Sequence, residues 1–96
     1  MNGNEHIITY EDCLKTRFGV SCRAYYIFRL LGFNNVNVLD GGWESWIKEK
    51  YPVTTEVTQF SQGSFRANWN VEVFANKEDI LQSMDNSKRI IVDVRD

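Results

Sequence analysis

Between Asn35 and Leu39 the chain alternates: Val36 and Val38 are separated by polar Asn37 and preceded by Asn35, the period of a half-buried strand. Leu39 closes the run at Asp40, and two glycines follow, Gly41 and Gly42, which allow positive φ or a close backbone approach. Trp43, Trp46 and Ile47 then fall at i, i+3 and i+4. The pattern predicts a sharp turn from a strand into a short helix that sets two indoles on one face. Upstream, the β-branched run His6–Tyr10 reads as another strand and the polar stretch Glu11–Val20 as a loop. A helix comes next, with Ser21 as N-cap, Ala24, Ile27, Phe28 and Leu31 on its apolar face, and Gly32 at C′ as its stop.

The order is therefore β-α-β-α, with the short second helix ending where Pro52 pushes Tyr51 out of the α region. A strand, helix and strand in succession normally close as a parallel crossover. The fold class expected is α/β, part of an open parallel sheet with flanking helices, and the loops near Glu11 and Asp40 should share one sheet edge. From Val53 to Asn70 the helical period is lost and Thr, Ser, Gln and Asn dominate, which marks a connector. Asn76 and Asp79 then form a capping-box pair ahead of Ile80, Leu81 and Met84, and that helix should end in the turn Asp85–Lys88. A last apolar run, Arg89–Asp96, reads as a strand of the kind buried between neighbours, so the chain reads as cut soon after Val94.

Composition narrows function by exclusion. Ninety-six residues, 43% of them hydrophobic, suit one small globular unit, and a net charge of −2 without blocks of Lys or Arg gives no footprint for nucleic acid or an anionic membrane. No apolar run is long enough to span a bilayer, and the first ten residues lack a signal peptide's basic start and apolar stretch. Cys13 and Cys22 are nine apart and His6 is the only histidine, so no metal-ligand spacing is present and no cofactor is indicated. Two cysteines do not make a secreted framework, which favours a cytoplasmic or mitochondrial setting over a secreted one.

The stretch Ser21–Trp46, with Leu39-Asp40-Gly41-Gly42-Trp43-Glu44-Ser45-Trp46 at its end, resembles the late part of the first domain of tandem-domain rhodanese sulfurtransferases, the thiosulfate and 3-mercaptopyruvate sulfurtransferases. The resemblance continues through Gly63–Asn70, Asn76–Met84 and Ile90–Asp96, where Asp93 and Arg95 match an Asp-x-Arg signature near the start of the second domain. It implies a rhodanese-like sheet divided into 1–56, the closing part of an inactive first domain; 57–70, a linker; and 71–96, the opening helix and strand of a truncated second domain. It also implies that Asp40, Gly41, Gly42, Trp43 and Trp46 are structural. The glycines would turn the strand under the active-site edge, and the tryptophan helix would cover the sheet.

Family chemistry moves sulfane sulfur from a small sulfur-containing substrate to a thiophilic acceptor through a cysteine persulfide, whose thiolate sits after a strand, against backbone N–H groups and a helix N-terminus. At that place this chain has Glu11; counting back from the helix instead gives Thr16. Neither carries a persulfide. No catalytic residue is therefore expected within the chain, and the persulfide cysteine is expected beyond Asp96. Cys13 is the in-chain alternative, with Lys15, Arg17 and Arg23 near in sequence but Glu11 and Asp12 opposing a thiolate. Cys22 reads as a small packing residue, and Arg66 as an exposed linker arginine or, alternatively, as part of a cleft between domains. The Asp93–Arg95 pair would brace the catalytic loop of its own domain. Its strand, Ile90–Val94, having lost its neighbours, is expected to dock parallel to Val36–Leu39. Two other classes compete: a non-catalytic rhodanese-like module that binds a partner or anion at the Glu11–Ser21 loop, and an unrelated doubly wound binding domain.

Overall fold

Strand β1 (Ile7–Thr9) and strand β2 (Val36–Val38) pair in parallel with Ile7 opposite Val36, Ile8 opposite Asn37 and Thr9 opposite Val38. This comes from a computed structural model, which describes residues 1–13, 15 and 17–94. The parallel pairing expected from the β-α-β order is present, and the bonds from Ile7 N–H to Asn35 and from Leu39 N–H to Thr9, both 2.9 Å, close the ladder at either end. Helix α1 (Gly19–Leu30) makes the crossover. It packs on the face that carries Ile7, Thr9, Val36 and Val38, since alternate residues of a strand share a face. Val36 and Phe33 are the two hydrophobic residues buried there, 4% and 1% exposed.

The C-terminus of α1 follows from the sequence signal. Leu31 is the C-cap and Gly32 takes φ +84°; Gly32 N–H donates to Arg29 O (3.1 Å) and Phe33 N–H to Phe28 O (2.8 Å). That is a Schellman motif, and its customary apolar contact is the Phe28–Phe33 ring pair, with centroids 6.0 Å apart. The N-terminus does not follow the expectation. The helix begins at Gly19 with Phe18 as N-cap in the left-handed region, and Ser21 lies inside the first turn. The physical reason is a carboxylate from outside the helix, described below, which removes the need for a capping side chain next in sequence.

Helix α2 (Gly42–Lys48) ends three residues before Tyr51, where the proline signal takes effect. Lys50 adopts φ +58°, its N–H donating to Ile47 O (3.0 Å) and Tyr51 N–H to Trp46 O (3.1 Å), a second Schellman end sealed by the Trp46–Tyr51 ring contact at 4.8 Å. Residues 51–70 form no helix or strand, as their composition suggests, yet they are pinned. Asn68 N–H donates to Leu31 O (3.0 Å), Asn70 N–H to Leu30 O (2.8 Å), and the Phe65 ring lies 5.4 Å from that of Phe33. The connector thus satisfies carbonyls at the end of α1 that would otherwise face water. Met1 O accepts from Phe65 N–H at 2.9 Å. Beside it Glu5 folds back on the N–H groups of Asn2 and Gly3, and the Asn2 bond is the main cause of a carboxyl held below the usual range.

A 3-10 turn at Val71–Val73, unmarked in the sequence pattern, leads to helix α3 (Lys77–Met84). Both halves of the expected capping box are formed: Asp79 N–H to Asn76 Oδ1 and Asn76 N–H to Asp79 Oδ2, each 2.9 Å. Its apolar residues Ile80, Leu81 and Met84 nevertheless stay exposed. The expected docking of Ile90–Val94 beside Val36–Leu39 does not occur: among the described residues β1 and β2 alone form a sheet, and 90–94 is assigned no strand. A strand exists only through its partners, and high β-propensity supplies none. Arg95 and Asp96 lie outside the described residues. The radius of gyration, 17.4 Å, exceeds the roughly 12–13 Å of a compact chain this long, in line with extents of 54 × 36 × 17 Å.

Candidate functional site

Parallel strands deliver their following loops to one edge, and here those loops meet at Glu11. This residue is 6% exposed, the most deeply placed ionisable side chain among the described residues. Its Oε1 accepts from Val20 N–H (2.8 Å), Ser21 N–H (3.0 Å) and Ser21 Oγ–H (3.2 Å). The side chain therefore caps α1 from ten residues upstream and puts negative charge at the positive end of the helix dipole. Its backbone carbonyl does the same for the other helix, accepting Trp43 N–H at 2.8 Å. One residue ties both helix N-termini to the end of β1.

The Asp40-Gly41-Gly42 turn makes room for this. Gly41 and Gly42 take φ of +74° and +54°, and a Cβ on Gly42 would lie 2.7 Å from Glu11 O. The close backbone approach requires glycine at position 42, and the left-handed φ favours it. Gly42→Ala is expected to cost about 1–3 kcal/mol, read as a shift of the urea midpoint at unchanged m. Asp40 is exposed. Trp43, 38% exposed, stacks on Tyr10 with ring centroids 6.4 Å apart, while Trp46 is half-buried and donates from Nε1 to Pro52 O at 3.0 Å. The two indoles rim an open groove of about 440 Å³ on the sheet face opposite α1, together with Ile8, Tyr10, Leu39 and Val53.

Cys13 is half-buried in the loop after Glu11 and Cys22 is exposed on α1; both are free thiols. An exposed Cys22 has little packing to lose, so Cys22→Ala should be nearly silent, within about 0.5 kcal/mol in thermal or urea unfolding. Arg66 is exposed, as is Asp93. Thr16 and Arg95 lie outside the described residues. Sequence reasoning singled out Glu11 only as the wrong residue for a persulfide and missed its capping role. The available signal was an acid directly after a strand, ahead of a loop and a helix N-terminus. Among the described residues no helix is long and apolar enough to cross a membrane.

Comparison with known proteins points the same way as the sequence motifs. The chain is similar to thiosulfate sulfurtransferase of Gallus gallus, 31% identical over 99% of the chain, and to that of Mus musculus at 29% over the same share. It is also similar to 3-mercaptopyruvate sulfurtransferase of Mus musculus, 27% identical over 94% of the chain. These alignments take in 32%, 32% and 30% of the relatives, so the chain spans about a third of their length. No family model matches the chain. No solved structure matches it either. Over nearly its whole length the chain is thus similar to about a third of the thiosulfate and 3-mercaptopyruvate sulfurtransferases, consistent with a rhodanese-family fragment.

Proposed function

We infer that the chain is a non-catalytic segment of a longer sulfurtransferase: the closing part of an inactive first rhodanese domain (1–56), a linker (57–70) and the opening of a catalytic second domain (71–96). In the parent, a cysteine thiolate attacks the outer sulfur of thiosulfate, forming a persulfide S–S bond as sulfite leaves with the electron pair of the broken bond. With 3-mercaptopyruvate the sulfur is taken from carbon and pyruvate is released. A thiophilic acceptor such as cyanide or a thiol then takes the outer sulfur and restores the thiolate. The relatives' names support this chemistry for the family.

The observation that carries the assignment of this segment is the Glu11 carboxylate. It occupies the place after the strand and against the helix N-terminus where the family resemblance puts the thiolate, and it already uses the N–H groups of Val20 and Ser21. A carboxylate does not become a persulfide, and N–H groups committed to it are not available to a sulfur anion. The same commitment argues against the alternative of an anion-binding module at the Glu11–Ser21 loop. On this reading Asp40, Gly41, Gly42, Trp43 and Trp46 are structural, and Asp93 with Arg95 braces the catalytic loop of the second domain. The test is persulfide mapping by mass spectrometry after the full-length polypeptide has been loaded with thiosulfate. The added sulfur should sit on a cysteine outside residues 1–96, with Cys13 and Cys22 recovered as thiols; a persulfide on Cys13 would overturn the assignment.

A further inference from the structure

We propose that residues 65–73 are a clamp built into the first unit and no part of a free linker, so that the junction with the second unit narrows to Phe74–Asn76. The last carbonyls of a helix have no partner within it, and the connector takes two of them. Asn68 N–H donates to Leu31 O at 3.0 Å and Asn70 N–H to Leu30 O at 2.8 Å, so alternate residues of the connector bond successive carbonyls at the end of α1. The half-buried Phe65 ring lies 5.4 Å from that of Phe33, which is 1% exposed. A side chain from the connector therefore completes the core of the sheet and helix. The Val71–Val73 turn prolongs the contact: it packs on α1, and its first N–H groups are held by Asn70, whose Oδ1 accepts from Glu72 N–H at 3.2 Å.

Gly32 marks this approach as part of the fold. Its φ of +84° serves the Schellman end, a conformation that asparagine also tolerates, but a Cβ there would run into Asn68 O. The strap, and not the helix end alone, excludes every other residue. Elsewhere the connector is different: residues 57–62 are exposed, and their amides meet no acceptor among the described residues. Past the clamp, Phe74 is exposed and extended, at φ −118° and ψ 135°, and the Asn76–Asp79 box starts α3 afresh. Composition marks one connector where the contacts divide it into a loop that returns to the first unit, a clamp and a short junction. The three residues of that junction reach about 10 Å, whereas a free linker over 57–70 would reach up to about 45–50 Å. The clamp thus fixes where the second unit starts. That a second unit starts at α3 rests on the reading under Proposed function, while the clamp itself rests on its contacts.

Amide hydrogen exchange of the 96-residue chain, read by NMR, tests the clamp. The amides of Asn68 and Asn70 are expected to exchange as slowly as that of Phe33, through one shared opening, while those of 57–62 exchange near the rate of an unprotected chain. Gly32→Asn keeps a residue tolerant of left-handed φ but adds a Cβ. It should speed exchange at Asn68 and Asn70 by on the order of tenfold or more and leave Ile80 in α3 unchanged. A short Gly-Ser insertion after Gln59 should alter all these rates by less than about twofold, because the cost of closing a loop grows only with the logarithm of its length. The pattern in the unaltered chain decides even if Gly32→Asn fails to fold. Exchange at Asn68 and Asn70 as fast as at 57–62, no change in Gly32→Asn, or an equal acceleration at Ile80 would overturn the proposal. Persulfide mapping is independent of all three results, so the clamp and the sulfurtransferase reading can fail separately.

Discussion

Phe33→Ala is expected to cost about 3–5 kcal/mol, and in this chain that loss should abolish cooperative folding. Phe33 and Val36 are the only hydrophobic residues buried among the described ones, and Phe33 is the larger. Its ring touches Phe28 at the Schellman end of α1 and Phe65 in the connector, so one side chain joins the helix, the strand that follows it and the segment that wraps back. A chain with so small a core sits toward the low end of the roughly 5–15 kcal/mol of ordinary domains, and losing several of these leaves little folded state. Phe33→Leu, which keeps most of the volume, should cost about 1 kcal/mol. Urea unfolding followed by far-UV circular dichroism separates the two variants; equal, small losses would mean that the core lies elsewhere.

Glu11→Ala should cost about 2–4 kcal/mol, because it leaves the N–H groups of Val20 and Ser21 without their acceptor, the latter at a buried position, while the Ser21 hydroxyl keeps Phe18 O as acceptor at 3.2 Å. Glu11→Gln keeps an acceptor oxygen but loses the charge at the dipole end, and should fall between, near 1–2 kcal/mol. The two roles of the residue separate cleanly. The backbone carbonyl survives either substitution, so Trp43 N–H keeps its acceptor and α2 should stay docked while the first turn of α1 frays. Hydrogen exchange reads this directly: protection should fall at Val20 and Ser21 and persist at Trp43. Uniform loss at all three amides would mean that Glu11 acts on the whole unit and not as a cap.

How much of this was legible in the sequence follows from the range of the interactions involved. The Asn76–Asp79 box, the Gly32 stop and the Gly41-Gly42 turn are local, each set by residues within a few positions, and each was readable. The parallel pairing of β1 and β2 was readable because connection rules leave few alternatives. The start of α1 was misplaced because its cap comes from Glu11, across a loop that no local pattern spans. Pro52 was credited with ending α2, where Lys50 does so through a left-handed φ unusual for lysine. The strand expected at Ile90–Val94 had the right residues and no neighbour, and propensity alone does not place a strand. At the candidate site the Gly41–Gly42 turn was read from residue types, while Glu11, which ties both helix N-termini to β1, was noticed only for what it cannot do.

On the proposed function, a carboxylate stands where a sulfur carrier would, and this chain contributes structure and no nucleophile. The most direct measurement is intact-mass analysis of the purified 96-residue chain after incubation with thiosulfate, paired with a thiosulfate:cyanide turnover assay on the same sample. The account predicts an unchanged mass and thiocyanate formation at the level of the buffer. A gain of one sulfur atom together with turnover above background, both abolished by Cys13→Ser, would contradict it and make Cys13 the nucleophile.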